Sequence, residues 1–158
     1  MTPTRYSHTQ PGTLMRAILG SIALAAFGAL VFFGLRPEPV GLVASGATCL
    51  VMVVCLMLFH SLTVVVTDEA VQISFGPGLI RKSLRLSDIV SCAAVRNSWI
   101  HGWGVHMMRG GWVYNVSGFD AVEITFKDGR KARIGTDEPH KLSEAIVERV
   151  QPRGAAGR

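Results

Sequence analysis

Two long apolar runs, residues 17–35 and 40–59, lie back to back near the N-terminus, separated only by Arg36, Pro37, Glu38 and Pro39. Neither run contains Asp, Glu, Lys, Arg or His. Each holds about 20 residues, and at about 1.5 Å of rise per residue a helix of that length just crosses a hydrocarbon layer about 30 Å thick. So short a connection leaves one arrangement, an antiparallel helical hairpin. The chain reads as a membrane protein.

A secretory signal peptide is the competing reading of the first run, because Arg5 and Arg16 precede it. The run is longer than the usual apolar region of such peptides, no small-x-small cleavage site ends it, and a second run follows at once. Orientation follows from Lys and Arg near the runs, which are retained on the cytoplasmic side. Arg5 and Arg16 come before the pair and Arg81, Lys82 and Arg85 after it, while in the connection Arg36 is offset by Glu38. Both termini are expected in the cytoplasm. Small residues recur every four positions, Ser21, Ala25 and Ala29 in the first run and Gly41, Ser45 and Cys49 in the second. Such rows let helices approach closely in lipid, although membrane helices are rich in small residues in any case. The absence of ionisable groups in either run argues against a proton relay or ion path within the bilayer.

The composition agrees: 49% of the 158 residues are hydrophobic and only 17% charged. The net charge of +5 is accounted for by anionic lipid beside a membrane domain, and nucleic acid is not expected as a partner. Of three cysteines, Cys49 and Cys55 fall in the second run and only Cys92 outside it, so no disulfide framework is possible there, in keeping with a reducing compartment.

From residue 62 the pattern changes to short alternating runs divided by turn residues. Leu62, Val64 and Val66 alternate with Thr63, Val65 and Thr67, with Val65 blurring the pattern; Val71, Ile73 and Phe75 alternate with Gln72 and Ser74. Further strands are expected around Leu84 and Leu86, over 89–95, 105–108 and 112–116, and in a hairpin of Val122, Ile124 and Phe126 with Ala132 and Ile134 around Asp128-Gly129. The period then becomes helical: Thr136 or Asp137 caps, Pro139 suits the first turn, and Leu142, Ala145, Ile146 and Val150 share a face. The expected division is a cytoplasmic N-terminal tail at 1–13, a two-helix transmembrane hairpin at 14–60, a β domain at 61–150 and a disordered tail at 151–158. The fold class is α+β, with about seven antiparallel strands curled into a partly open barrel capped by one C-terminal helix.

The stretches LTVVVTDEAVQISFGPGLIRKSLRLSDI and VRNSWIHGWGVHMMRGGWVYNVSGFDAVEITFKDGRKARIGTDEP give the chain its likeness to known proteins. It resembles small bacterial membrane proteins that join a two-helix hairpin to a pleckstrin-homology-like domain. The resemblance implies a seven-stranded, helix-capped barrel used for interaction or scaffolding, in the bacterial inner membrane. Relatives that bind phosphoinositides carry basic residues around their first strand connection; here Thr67, Asp68 and Glu69 make that turn acidic, and Arg81, Lys82 and Arg85 come only after the next strand. Phosphoinositide recognition is not expected, whereas general attraction to anionic lipid through Arg81, Lys82 and Arg85 is.

All three tryptophans, Trp99, Trp103 and Trp112, fall within fourteen residues together with His101, His106, Met107 and Met108, among Gly102, Gly104, Gly110 and Gly111. Three readings compete: an interfacial belt at the lipid headgroups, an anchor patch for a protein partner, or core packing of a small barrel. His101 and His106 lack the neighbouring ligands a metal needs, and no catalytic motif or cofactor signature appears. Two functions from different classes remain. One is a membrane-tethered interaction or scaffolding module using Trp99, Trp103 and Trp112; the other is a structural module docked on anionic lipid, with accessory subunit of a larger membrane complex as a third option. The interaction module is favoured, because the hairpin already supplies attachment.

Overall fold

A computed structural model describes residues 3–36, 38–98 and 102–150. The expected 151–158 tail and the candidate Trp99 lie outside the described residues.

The N-terminal stretch read above as a tail is strand β1, Thr4–Pro11, followed by helices α1, Thr13–Gly34, and α2, Pro39–Phe59, and then strand β2, Ser61–Thr67. β1 and β2 pair antiparallel from Thr4↔Thr67 to Pro11↔Ser61. The helical hairpin is therefore an insertion at the tip of a β-hairpin. The junction is closed by main-chain bonds: Gly12 N–H donates to the His60 carbonyl at 2.8 Å, and Arg16 N–H to the Gly12 carbonyl at 2.8 Å to start α1. Both outer ends of the helical pair are thus fixed at one point of the sheet.

α1 and α2 are each long and apolar enough to cross a membrane. A core helix of the same composition buries its apolar face; here Ala26 is the one buried residue of α1 and Ser45 of α2. Leu24, Phe27, Val43, Leu50 and Met57 are all exposed. The two helices pack through the small row of α2: Gly41 lies against the Phe33 ring, and Cys49 Sγ reaches the Ala23 carbonyl at 3.6 Å. On α1 the Ser21 and Ala25 positions face outward, and Ala26 takes the contact instead.

The β region forms two sheets not closed into a barrel. The first has the order β1-β2-β3-β4, adding β3, Ala70–Phe75, and β4, Ile80–Arg85. After a 3-10 turn at Leu86–Asp88, the second has the order β5-β8-β9-β7-β6, built from β5, Ile89–Arg96; β6, Gly104–Met108; β7, Gly111–Asn115; β8, Asp120–Phe126; and β9, Lys131–Gly135. Nine strands among the described residues thus replace the expected seven or so, and they are not all antiparallel. β7 crosses over to a β8 that pairs with β5, and the β8–β9 hairpin fills the gap. β9 then runs antiparallel to β8 and so parallel to β7, with Trp112↔Ala132 and Tyr114↔Ile134 in register.

Between the sheets lies one core of Leu62, Val64, Val66, Val71, Ile73, Phe75, Tyr114, Val122, Ile124 and Ile134. The inward residues of β2 and β3 alternate as the period-two pattern requires. Helix α3, Pro139–Val150, packs on β5 and β8 and buries Leu142 and Ile146. Phe59, at the foot of α2, stands edge-on to Phe75 with ring centroids 5.6 Å apart, tying the helical hairpin to the core.

Candidate functional site

Among the described residues β4 pairs only with β3, and β6 only with β7, so each ends its sheet. Between the β4 edge and the β6–β7 and β8–β9 turns opens a cleft of about 760 Å³. One wall is Lys82, Leu84 and Arg85 of β4; the other carries Met107, Trp112, Tyr114 and Phe126. Tyr114 is buried and reaches the Phe75 ring at 6.5 Å between centroids, forming the floor, whereas Trp112 two residues earlier on the same face is 46% exposed at the mouth. Burial pushes the Tyr114 hydroxyl above its ordinary pKa, so it stays protonated in the cleft. The β6–β7 turn approaches β9 closely at Gly111, where any side chain would strike the Lys131 carbonyl.

The cleft is basic. Lys82, Arg85, Lys127, Arg130 and Lys131 line it against Asp88 and Asp128. Arg130 is taken up by Asp128 at 2.6 Å, and Lys131 by Glu123 at 2.7 Å. Among the described residues Lys82, Arg85 and Lys127 form no ion pair. An uncompensated positive edge beside an indole and a thioether suits a ligand with both acidic and apolar groups.

The sequence candidates are divided by the fold. Trp112 shares the cleft with Lys82 and Arg85. Trp103 sits elsewhere: its Nε1–H donates to the Gly118 carbonyl at 3.2 Å and its ring leans on Phe119 with centroids 6.1 Å apart. Arg81 turns away from the cleft, its guanidinium bonded to the Gly78 carbonyl in the β3–β4 turn. Alternation puts Lys82 on the face of buried Leu84; Arg81 and Arg85 share the opposite face, and position along the strand separates them, Arg85 at the cleft end and Arg81 at the β3–β4 turn, where Gly78 holds it. Lys127 was not singled out from the sequence and Phe126 was read only as a strand residue; both reach the cleft beside the Asp128-Gly129 turn, which the sequence did mark.

A second polar cluster joins β1 to the start of α3. His8 Nε2 lies 2.6 Å from Asp137 Oδ1, and the Tyr6 hydroxyl donates to Glu138 at 3.4 Å. Burial, with the Glu138 charge beside it, raises the Tyr6 pKa to about 12. At the other end of β1, Arg5 makes two bonds to Asp68 and holds that carboxylate below its usual range. These contacts are those of a strand fastened at both ends. Among the described residues no three His, Cys, Asp or Glu are grouped to hold a metal ion.

Compared with protein-family models, curated proteins and solved structures, the chain matches none.

Proposed function

We propose that the chain is a membrane-anchored interaction module whose β domain holds an extended acidic segment of a partner protein in the cleft between β4 and β6. The observation that carries this reading is the coincidence of two strand edges and three cations, unpaired among the described residues, with Trp112 and Met107. A free edge offers main-chain donors and acceptors to an added strand, and flanking pockets select its side chains. The helical hairpin supplies the anchor. Strand pairing at Pro11↔Ser61 leaves orientation a single choice for β1 and the rest of the domain together, and Arg5, Arg16, Arg81, Lys82 and Arg85 favour the cytoplasmic face of a bacterial inner membrane. The order of a four-stranded sheet, a second sheet and a C-terminal helix is in keeping with a pleckstrin-homology-like domain; the parallel β7–β9 pair is a departure from it.

Photocrosslinking in intact membranes tests the reading. A benzophenone residue at Met107, 73% exposed in the cleft wall, is expected to capture one defined protein, with a control at Val90 on the far edge of the second sheet capturing none. A peptide copying the captured segment should compete, and Lys82→Glu with Arg85→Glu should weaken it tenfold or more at low salt, less at high salt. Equal capture from positions 107 and 90 would sink the cleft as the binding site.

A further inference from the structure

We infer that the domain carries its own lipid-contacting rim, made of the β3–β4 turn and the Trp103–Phe119 pair, which lies against the bilayer that α1 and α2 cross. The inference uses the reading of the two helices as membrane spans. β3 overshoots the start of β2: Gly76 N–H donates to the Ser61 carbonyl at 2.9 Å, and at Gly76 a side chain would meet the Met57 and Leu58 carbonyls. Gly76 therefore lies beside the last turn of α2, and Pro77, Gly78 and Leu79 carry the chain past the first residue of β2 as the β3–β4 turn. Leu79 at the tip is 78% exposed.

The β7–β8 loop reaches the same level from the other side of the junction. Ser117 Oγ lies 2.9 Å from Thr13 Oγ1, at the first residue of α1, and the Ser117 carbonyl accepts from Gln10 Nε2 at 3.0 Å. Phe119, 37% exposed, follows two residues later with Trp103 leaning on it. Leucine and two aromatics on opposite sides of the helical stem give an apolar collar. Cations sit within it: Arg16 donates to the His60 carbonyl at 3.1 Å, and Arg81 folds back on Gly78. Apolar tips below phosphate-reaching arginines form an interfacial anchor, with the indole at headgroup depth. The collar fixes the tilt of the domain, so that the cleft at the β6–β7 and β8–β9 turns faces away from the lipid.

The test uses full-length protein in nanodiscs containing anionic lipid. Spin labels are placed singly at positions 79, 119, 27 and 128, with Cys49, Cys55 and Cys92 replaced by Ser. Labels at 79 and 119 should collide more with oxygen than with a water-soluble nickel chelate, as position 27 within α1 does, while 128 shows the reverse. In a second preparation Trp99→Phe and Trp112→Phe leave Trp103 as the sole tryptophan, and acyl-brominated lipid should quench at least half of its emission when it is excited selectively over tyrosine. Sites 79 and 119 behaving like 128 while 27 is lipid-exposed, or Trp103 unquenched, would overturn the collar alone. An aqueous position 27 would overturn the spans and the collar with them.

Discussion

Gly76 shows how one residue joins the two parts of the molecule. Its φ of +49° lies in the left-handed region, and its α-carbon faces the Met57 and Leu58 carbonyls without room for a side chain. Gly76→Ala combines a left-handed penalty of about 1–2 kcal/mol with a clash against main chain that cannot rotate away. It should lower the Tm by several degrees, measured by intrinsic fluorescence in detergent, whereas Gly129→Ala, also at positive φ but facing open space, should cost less. Glu123 is the complementary electrostatic case. Burial alone would raise its pKa, but bonds from Lys131 and Arg133, each 2.7 Å, outweigh this and hold it below the ordinary carboxylate range. A lowered carboxylate pKa means stability present above the unfolded value and lost as pH falls through the folded one. Glu123→Gln should therefore cost about 1 kcal/mol at pH 7. Urea midpoints of parent and variant should converge as pH drops below about 4.5; a gap unchanged at low pH would remove the ion pairs as its cause.

β1 is the element that decides whether the sheet survives on its own. Its sequence, TRYSHTQP, has one aromatic and no alternation of apolar residues, because an edge strand with a mostly exposed face has little to bury. Nothing in the residues from Thr4 to Pro11 therefore signals a strand, and the fold becomes visible only once Ser61–Thr67 is seen to lack a partner on that side. β2 and β3 were legible because Leu62, Val64 and Val66 in one and Val71, Ile73 and Phe75 in the other fall at every second position and are buried. The order of the second sheet was not, since which strand fills the gap beside β7 is a matter of long-range pairing that local pattern does not encode. The candidate cleft was legible in the same measure. Trp112, Lys82 and Arg85 stand out by residue type, but that they share a cleft, and that Arg81 does not, depends on which sheet edges meet and on how far along β4 each residue lies. Deleting residues 3–10 removes the β2 partner and the Tyr6 and His8 ties to α3. The shortened chain should insert but lose cooperative unfolding of the β domain and become protease-sensitive after Thr67; protection equal to the parent in limited proteolysis would show β1 to be dispensable.

At the scale of the whole molecule, the helical hairpin is a loop. Pro11 and Ser61 face each other across the β1–β2 ladder, which is the separation a two-residue turn closes, and Asn-Gly in a type I′ turn matches the twist of such a hairpin. Replacing residues 12–60 by Asn-Gly should thus leave both sheets and α3 in register. Some burial goes with the helices: Met15 and Phe59 pack against the core, and losing these half-buried side chains costs about 1 kcal/mol each. The excised domain should be folded and less stable by a few degrees in Tm, and its far-UV dichroism should lose the helical signal of α1 and α2 while keeping that of the sheets. Without the helical pair, it also presents Leu79, Phe119 and Trp103 to water. It should remain monomeric in low-salt buffer without lipid, yet sediment with vesicles containing anionic lipid, and Leu79→Asp with Phe119→Asp should abolish that sedimentation while leaving the unfolding transition in place. A domain that unfolds on excision would mean that the hairpin is part of the core rather than an insertion in it.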